Sequence, residues 1–147
     1  MRILVINGPN LNMLGERSHH HYGTLTLEQI NELLQKKATE LKADLVFFQS
    51  NHEGAIIDFL QKEAESSDGI LINPGALTHY GYSLRDALED TKLPIVEVHL
   101  SDISQREDFR KIDVLNGIVI KTIMGLKEKS YLLGLETLVT HLLLQED

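Results

Sequence analysis

Five short apolar runs, Ile3–Ile6, Leu45–Phe48, Ile70–Ile72, Ile95–Val98 and Ile118–Ile123, recur along the chain with helical patterns between them. The runs are mostly β-branched and continuous rather than alternating, the pattern of strands covered on both faces. Thr26-Leu27-Glu28-Gln29 reads as a capping box, and Leu27, Ile30, Leu33, Leu34, Ala38 and Leu41 follow on one stripe. Asn51 is placed to cap a second helix carrying Ile56, Ile57, Phe59 and Leu60. A third helix near Ser83–Asp90 must stop before Pro94, and a last one over Tyr131–Leu144 turns Leu132, Leu135, Leu138, Val139 and Leu142 inward. Strand–helix alternation of this kind implies a right-handed parallel α/β sheet with helices on both faces. No repeat, low-complexity tract or linker interrupts it, so residues 1–147 read as one domain.

A chain of 147 residues is long enough to bury about 70% of its unfolded surface. With 42% hydrophobic and 24% charged residues it has the composition of an ordinary soluble protein. It contains no cysteine, which suits a reducing cytoplasm. Ile3-Leu4-Val5-Ile6 is cut short by Asn7-Gly8-Pro9, too early for an export signal, and no apolar run approaches the roughly 20 residues of a membrane helix. The expected location is therefore the cytoplasm. A formal charge of −8 speaks against nucleic acid or an anionic membrane as partner. An anionic small molecule remains possible only if the few arginines gather at one place.

Ligands of open parallel sheets bind beyond the carboxyl ends of the strands, where the strand order reverses. The segments there are Asn7–Tyr22, Gln49–Gly54, Asn73–Tyr82, His99–Arg110 and Met124–Lys129, and they concentrate the polar residues and glycines. They contain no Gly-Lys-Ser/Thr phosphate loop, no Gly-x-Gly-x-x-Gly turn and no second histidine to make a zincin pair with His52-Glu53. Gly81-Tyr82-Ser83-Leu84-Arg85 lacks the closing glycine of a nucleophile elbow. His19-His20-His21 reads as a solvated loop tract, since adjacent loop residues seldom converge on one ion. What remains is asparagine, histidine, arginine, serine and one glycine-flanked tyrosine. That inventory suits proton transfer on a polar anion: arginines for a carboxylate, amides for hydroxyls, histidine and tyrosine for protons. It leaves open an acid–base lyase or isomerase on a polyhydroxylated acid, or a flavodoxin-like binding module without catalysis.

Four blocks carry a resemblance. They are Asn7-Gly8-Pro9-Asn10-Leu11-Asn12-Met13-Leu14-Gly15-Glu16-Arg17 with Tyr22-Gly23, and Gln49-Ser50-Asn51-His52-Glu53-Gly54. The others are Asn73-Pro74-Gly75-Ala76 with Thr78-His79-Tyr80 and Leu84-Arg85-Asp86-Ala87, and Glu97-Val98-His99-Leu100-Ser101 with Arg106-Glu107-Asp108-Phe109-Arg110. In this order and spacing the chain resembles the type II 3-dehydroquinate dehydratases. The resemblance implies a flavodoxin-like three-layer sandwich with a five-stranded parallel sheet, assembled as a homododecamer of trimers. It also implies a reaction without metal or cofactor: loss of water from 3-dehydroquinate, through an enolate, to 3-dehydroshikimate.

Residue by residue, Tyr22 matches the family's catalytic base and His99 the acid that helps the C1 hydroxyl depart. A free phenol, with a pKa of about 10, is only about 0.1% ionised at neutral pH. Cations must therefore favour its anion, and Arg17 and Arg106 are the candidates. Glu97, two residues before His99 on one strand face, is placed to orient the imidazole. Asn10 matches the residue that holds a water against the enolate oxygen. Asn73, His79, Leu100, Ser101 and Arg110 match substrate-binding positions, and Asp86 a residue reaching a neighbouring subunit's site. His52 and Glu53 read as structural or inter-subunit. One departure stands in the stretch from Gly15 to Gly23, read as a mobile lid: relatives commonly carry Glu-Pro after the arginine, where this chain has Ser18-His19-His20-His21. Loss of the proline predicts a looser lid.

Overall fold

The computed structural model describes residues 1–146. Strands β1 (Arg2–Asn7), β2 (Asp44–Gln49), β3 (Gly69–Asn73), β4 (Ile95–His99) and β5 (Lys121–Met124) form one parallel sheet in the order β2-β1-β3-β4-β5. Helices are α1 (His19–Tyr22), α2 (Leu27–Leu41), α3 (Glu53–Glu63), α4 (Tyr82–Asp90) and α5 (Glu128–Gln145). This is the flavodoxin-like three-layer arrangement expected. None of the described helices is long and apolar enough to cross a membrane.

Alternation along the strands divides the core in two. Ile3, Val5, Leu71, Val96, Val98 and Ile123 face α2 and α5, while Leu4, Ile6, Ile70, Ile72 and Ile95 face α3 and α4. The Thr26 capping box is formed: the hydroxyl accepts from Gln29 N–H at 3.2 Å, and the Gln29 side chain accepts from Thr26 N–H at 2.9 Å. Helix α5 lies close on the sheet because residue 134 is glycine; a Cβ there would stand 2.6 Å from Val98 Cγ1.

Several sequence expectations need correction. Asn51 does not cap α3. His52 occupies that position, and the Asn51 side-chain oxygen, Oδ1, instead accepts from Asn10 N–H at 3.0 Å and Gln49 Nε2 at 3.2 Å. The fifth strand begins at Lys121 rather than Ile118, because Val114–Ile118 winds through a turn containing Gly117. Leu33 is exposed, leaving Ile30, Leu34 and Ala38 as the buried stripe of α2. On α5 the buried stripe is Tyr131, Gly134, Leu135, Leu138 and Val139, with Leu132 and Leu142 only packed at its edges.

Register places the carboxyl ends of the strands side by side: Asn7 pairs with Gln49 on one side and with Asn73 on the other. The switch in strand order falls between β1 and β3, so the chain leaves these neighbours toward opposite faces and opens a crevice there.

Candidate active site

Two close approaches shape the crevice. The loop after β1 is pinned to the end of β3 by Gly8 N–H donating to Asn73 O at 2.8 Å. A Cβ at Gly8 would lie 2.3 Å from Pro74 O, so only glycine allows the two loops to meet. Asn10 follows in the left-handed region (φ 69°) and is carried to the rim. Beneath, Asn73, Tyr131 and Asn7 form a buried chain: Asn73 Nδ2 donates to the Tyr131 hydroxyl at 2.9 Å, which donates to Asn7 Oδ1 at 2.6 Å. Asn73 Oδ1 also accepts from Gly75 N–H at 3.1 Å, which fixes the amide and leaves one of its N–H groups to spare.

The resulting cleft is narrow, about 460 Å3 only when the solvent space at its mouth is counted with it. Asn10, Arg17, Tyr22, Asn73, His79, His99, Leu100, Ser101, Arg106 and Arg110 all line it. Three of the chain's arginines thus meet at one place despite its negative total. Asp86 does not join them; it is exposed on α4.

Tyr22 ends α1, the single helical turn into which residues 19–22 wind, with Tyr22 N–H on Ser18 O and Gly23 N–H on His19 O, both at 3.0 Å. The tract expected as a proline-less loop is therefore a turn of helix, and its three histidines are rotated apart rather than turned on one point. His19 Nε2 lies 3.2 Å from Gly15 O. Partial desolvation, and then the Arg106 cation, hold the His21 imidazole below its ordinary range.

Around Tyr22 the two candidate cations take different places. Arg106 Nη1 donates to the phenol oxygen at 2.8 Å and to Ser101 Oγ at 3.4 Å. The Arg17 guanidinium lies over the ring face, its Cζ 3.8 Å from the centroid. Arg106 Nε is buried with no hydrogen-bond partner, 3.9 Å from Glu107 Oε1. Glu107 also holds Arg110 through a 2.9 Å bond from Arg110 Nε. It is itself kept below the ordinary carboxylate range, chiefly by that bond.

The second proton-handling group sits on β4. His99 Nε2 is 2.7 Å from Glu97 Oε1, and because a carboxylate only accepts, Nε2 carries the hydrogen. Glu97 stands in a fully buried strand where the pattern calls for an apolar residue, and it is completely shielded from solvent. Burial pushes its carboxyl up, but bonds from His99, Asp113 and Thr78 outweigh this and leave it below the ordinary range. The Thr78 hydroxyl lies against Glu97 Oε1 and also 3.1 Å from Asp113 Oδ1. Asp113 itself is pushed up to about 7, first by burial and then by Glu97. Glu97, His99 and Asp113 each bring a possible metal-ligand atom within 4.8 Å of the others. His99 already bonds Glu97, and the Thr78 hydroxyl stands between Glu97 and Asp113, so the trio reads as a hydrogen-bonded cluster.

His79 Nδ1 lies 2.7 Å from Ile112 O, so Nδ1 is the protonated nitrogen and Nε2 is left as an acceptor. Burial, and then His99 and Arg110, hold its imidazole below the ordinary range, so it is neutral at pH 7. Sequence reasoning missed Thr78 as a partner of Glu97, Asp113 altogether, and Tyr131 as the anchor of Asn73. Only the charged residue inside the fourth apolar run hinted that something polar had to meet it.

A family model described as dehydroquinase class II matches residues 1–139. A 3-dehydroquinate dehydratase of Roseiflexus castenholzii is 55% identical over 139 residues, covering 95% of this chain and 88% of that protein. One from Halothermothrix orenii is 51% identical, covering 94% and 93%. The crystal structure of a type II dehydroquinase from Butyrivibrio crossotus superposes with a TM-score of 0.91 at 42% identity, covering 94% of this chain and 97% of that one. With the match running through every strand and every loop of the cleft, this chain belongs to the class II dehydroquinase family.

Proposed function

We propose that this chain is a 3-dehydroquinate dehydratase of the type II kind, one catalytic domain that eliminates water from 3-dehydroquinate to give 3-dehydroshikimate in aromatic biosynthesis. The observation that carries the reading is Tyr22, its oxygen bonded to Arg106 and its ring covered by Arg17, in the same cleft as a glutamate-backed histidine. As phenolate, Tyr22 removes the proton beside the substrate ketone, and the electron pair passes to the carbonyl oxygen as an enolate. Asn10, at the rim, holds the water that meets this oxygen; its donor acts where charge appears only along the reaction path. Collapse of the enolate expels the C1 hydroxyl, protonated by His99, so the water lost takes its proton from the imidazolium.

Arg110 and the backbone of Leu100 and Ser101 receive the substrate carboxylate, while the spare N–H of Asn73 and the Nε2 acceptor of His79 suit ring hydroxyls. Each role is filled by a side chain or backbone group of the chain itself, and no electron transfer is required. Exposed Asp86 fits a role at a neighbouring subunit's cleft, in a homododecamer built from trimers. Cytoplasmic location accords with such a biosynthetic enzyme.

The test adds 3-dehydroquinate to purified protein and follows the ultraviolet absorbance of the conjugated product. Borohydride added with substrate should leave activity intact, because no lysine Schiff base forms. Absence of the absorbance change, or inactivation by borohydride, contradicts the reading.

A further inference from the structure

We propose that Asp113 is a positioning residue for His99: it keeps a proton in the cluster, so that only Glu97 places a negative charge beneath the imidazole. The role rests on the reading of His99 as the acid of the elimination.

The geometry demands an extra hydrogen. Glu97 Oε1 faces both His99 Nε2 and the Thr78 hydroxyl, while that hydroxyl also faces Asp113 Oδ1 at 3.1 Å. One hydroxyl has one hydrogen, and it cannot donate to two carboxylates at once. If Thr78 donates to Glu97, its oxygen needs a donor on the Asp113 side, and a protonated Asp113 supplies it. The chain then runs Asp113 O–H to Thr78 Oγ1, Thr78 O–H to Glu97 Oε1, with His99 Nε2–H donating to the same oxygen. Leu115 N–H donates to the same Oδ1 at 2.9 Å, which fixes the carboxyl in place although the bond by itself favours the anion. The Thr122 hydroxyl covers the other Glu97 oxygen at 3.4 Å.

The charges around the cluster agree on where the proton sits. Glu97 and His99 face it from β4 and His79 from the segment after β3, with Arg110 and Lys111 on the turn before Asp113. Glu97 is bonded to His99 and held low despite its burial, whereas Asp113 is raised, first by its own burial and then by Glu97. Ionisation of Asp113 deprives the Thr78 oxygen of its donor and places a second negative charge under His99. An imidazolium over two anions releases its proton less readily, so elimination should slow as Asp113 ionises.

Asp113→Asn removes the ionisable proton at nearly constant shape; Asp113→Ala also removes the contact with Thr78. In the free enzyme, the Asp113 carboxyl carbon should titrate near pH 7 by 13C NMR, and the His99 ring nitrogens should register the same step. Asp113→Asn should abolish that step and remove the matching alkaline fall in kcat, while remaining active at pH 6. Asp113→Ala should lose about tenfold in kcat with KM changed less, the scale of one buried hydrogen bond. A carboxyl carbon already ionised at pH 5, or a His99 step near pH 7 unchanged in Asp113→Asn, overturns the role. The NMR arms use no substrate, so they decide about Asp113 even if 3-dehydroquinate proves not to be turned over.

Discussion

Arg106 and Tyr22, 84 residues apart in sequence, are joined by a 2.8 Å bond from the guanidinium to the phenol oxygen. Arg17 is far closer in sequence yet touches the same tyrosine only across its ring face. The two arginines therefore act differently on the proposed base. A donor to the oxygen gains most when that oxygen becomes negative, whereas a cation over the ring chiefly closes the cleft and orients the phenol.

Replacing Arg106 by alanine should lower kcat by about 10²- to 10³-fold at pH 7, the range for loss of one preorganised donor. Part of the loss should return as pH is raised, because hydroxide then supplies the phenolate that Arg106 no longer favours. Arg17→Ala should also reduce the rate far more than it weakens ligand binding. Steady-state kinetics from about pH 6 to about pH 11, past the ordinary phenol value of about 10, check both. A pure KM effect in either variant makes that arginine an anchor for substrate instead.

Tyr131→Phe tests the buried support of Asn73. The hydroxyl is completely buried and bonded on both sides, so its loss strands the Asn7 and Asn73 side chains. The cost should be about 1–3 kcal/mol, seen as a Tm lower by roughly 2–10 °C. Activity should fall with it, because the Asn73 amide loses its fixed direction. Unchanged Tm by calorimetry counts against the network.

Stability should also depend on pH through Asp113. Its folded-state pKa is raised from 3.8 to about 7, so the proton it gains on folding contributes stability that is complete below about pH 4 and lost as pH rises through 7. Glu97, held below 4.5, works in the other direction, and its contribution disappears only in acid. Because Asp113 is partly exposed, the change is discounted to about 1 kcal/mol, or about 3 °C in Tm. Thermal unfolding at pH 5 and pH 8 should show this fall in the natural chain and a flatter profile in Asp113→Asn. Equal slopes in the two proteins contradict it.

Much of this molecule is legible in its sequence, for physical reasons. A parallel sheet buried on both faces needs continuous apolar strands, and four of the five runs lie within their observed strands, falling short by a residue or two at the ends. The fifth misleads because Ile118–Ile120 is apolar without being in the ladder; a turn through Gly117 delays the strand to Lys121. Local rules succeed where the partners are local, as with the Thr26–Gln29 box. They fail at Asn51, whose side-chain oxygen is claimed by Asn10 N–H, 41 residues away. The cleft residues were recognisable as a set, but not the division of labour between Arg17 and Arg106. Asp113 gave no sign at all, since its meaning depends on Thr78 and Glu97 from two other segments.

The most direct measurement is the behaviour of Tyr22→Phe, which removes one oxygen and leaves Arg106, Arg17 and the Glu97–His99 pair in place. Turnover of 3-dehydroquinate, read by ultraviolet absorbance, should be lost, while calorimetric binding of the product 3-dehydroshikimate stays within about tenfold, or 1.4 kcal/mol, of the parent. Turnover by the variant close to that of the parent contradicts a tyrosinate base and, with it, the proposed mechanism.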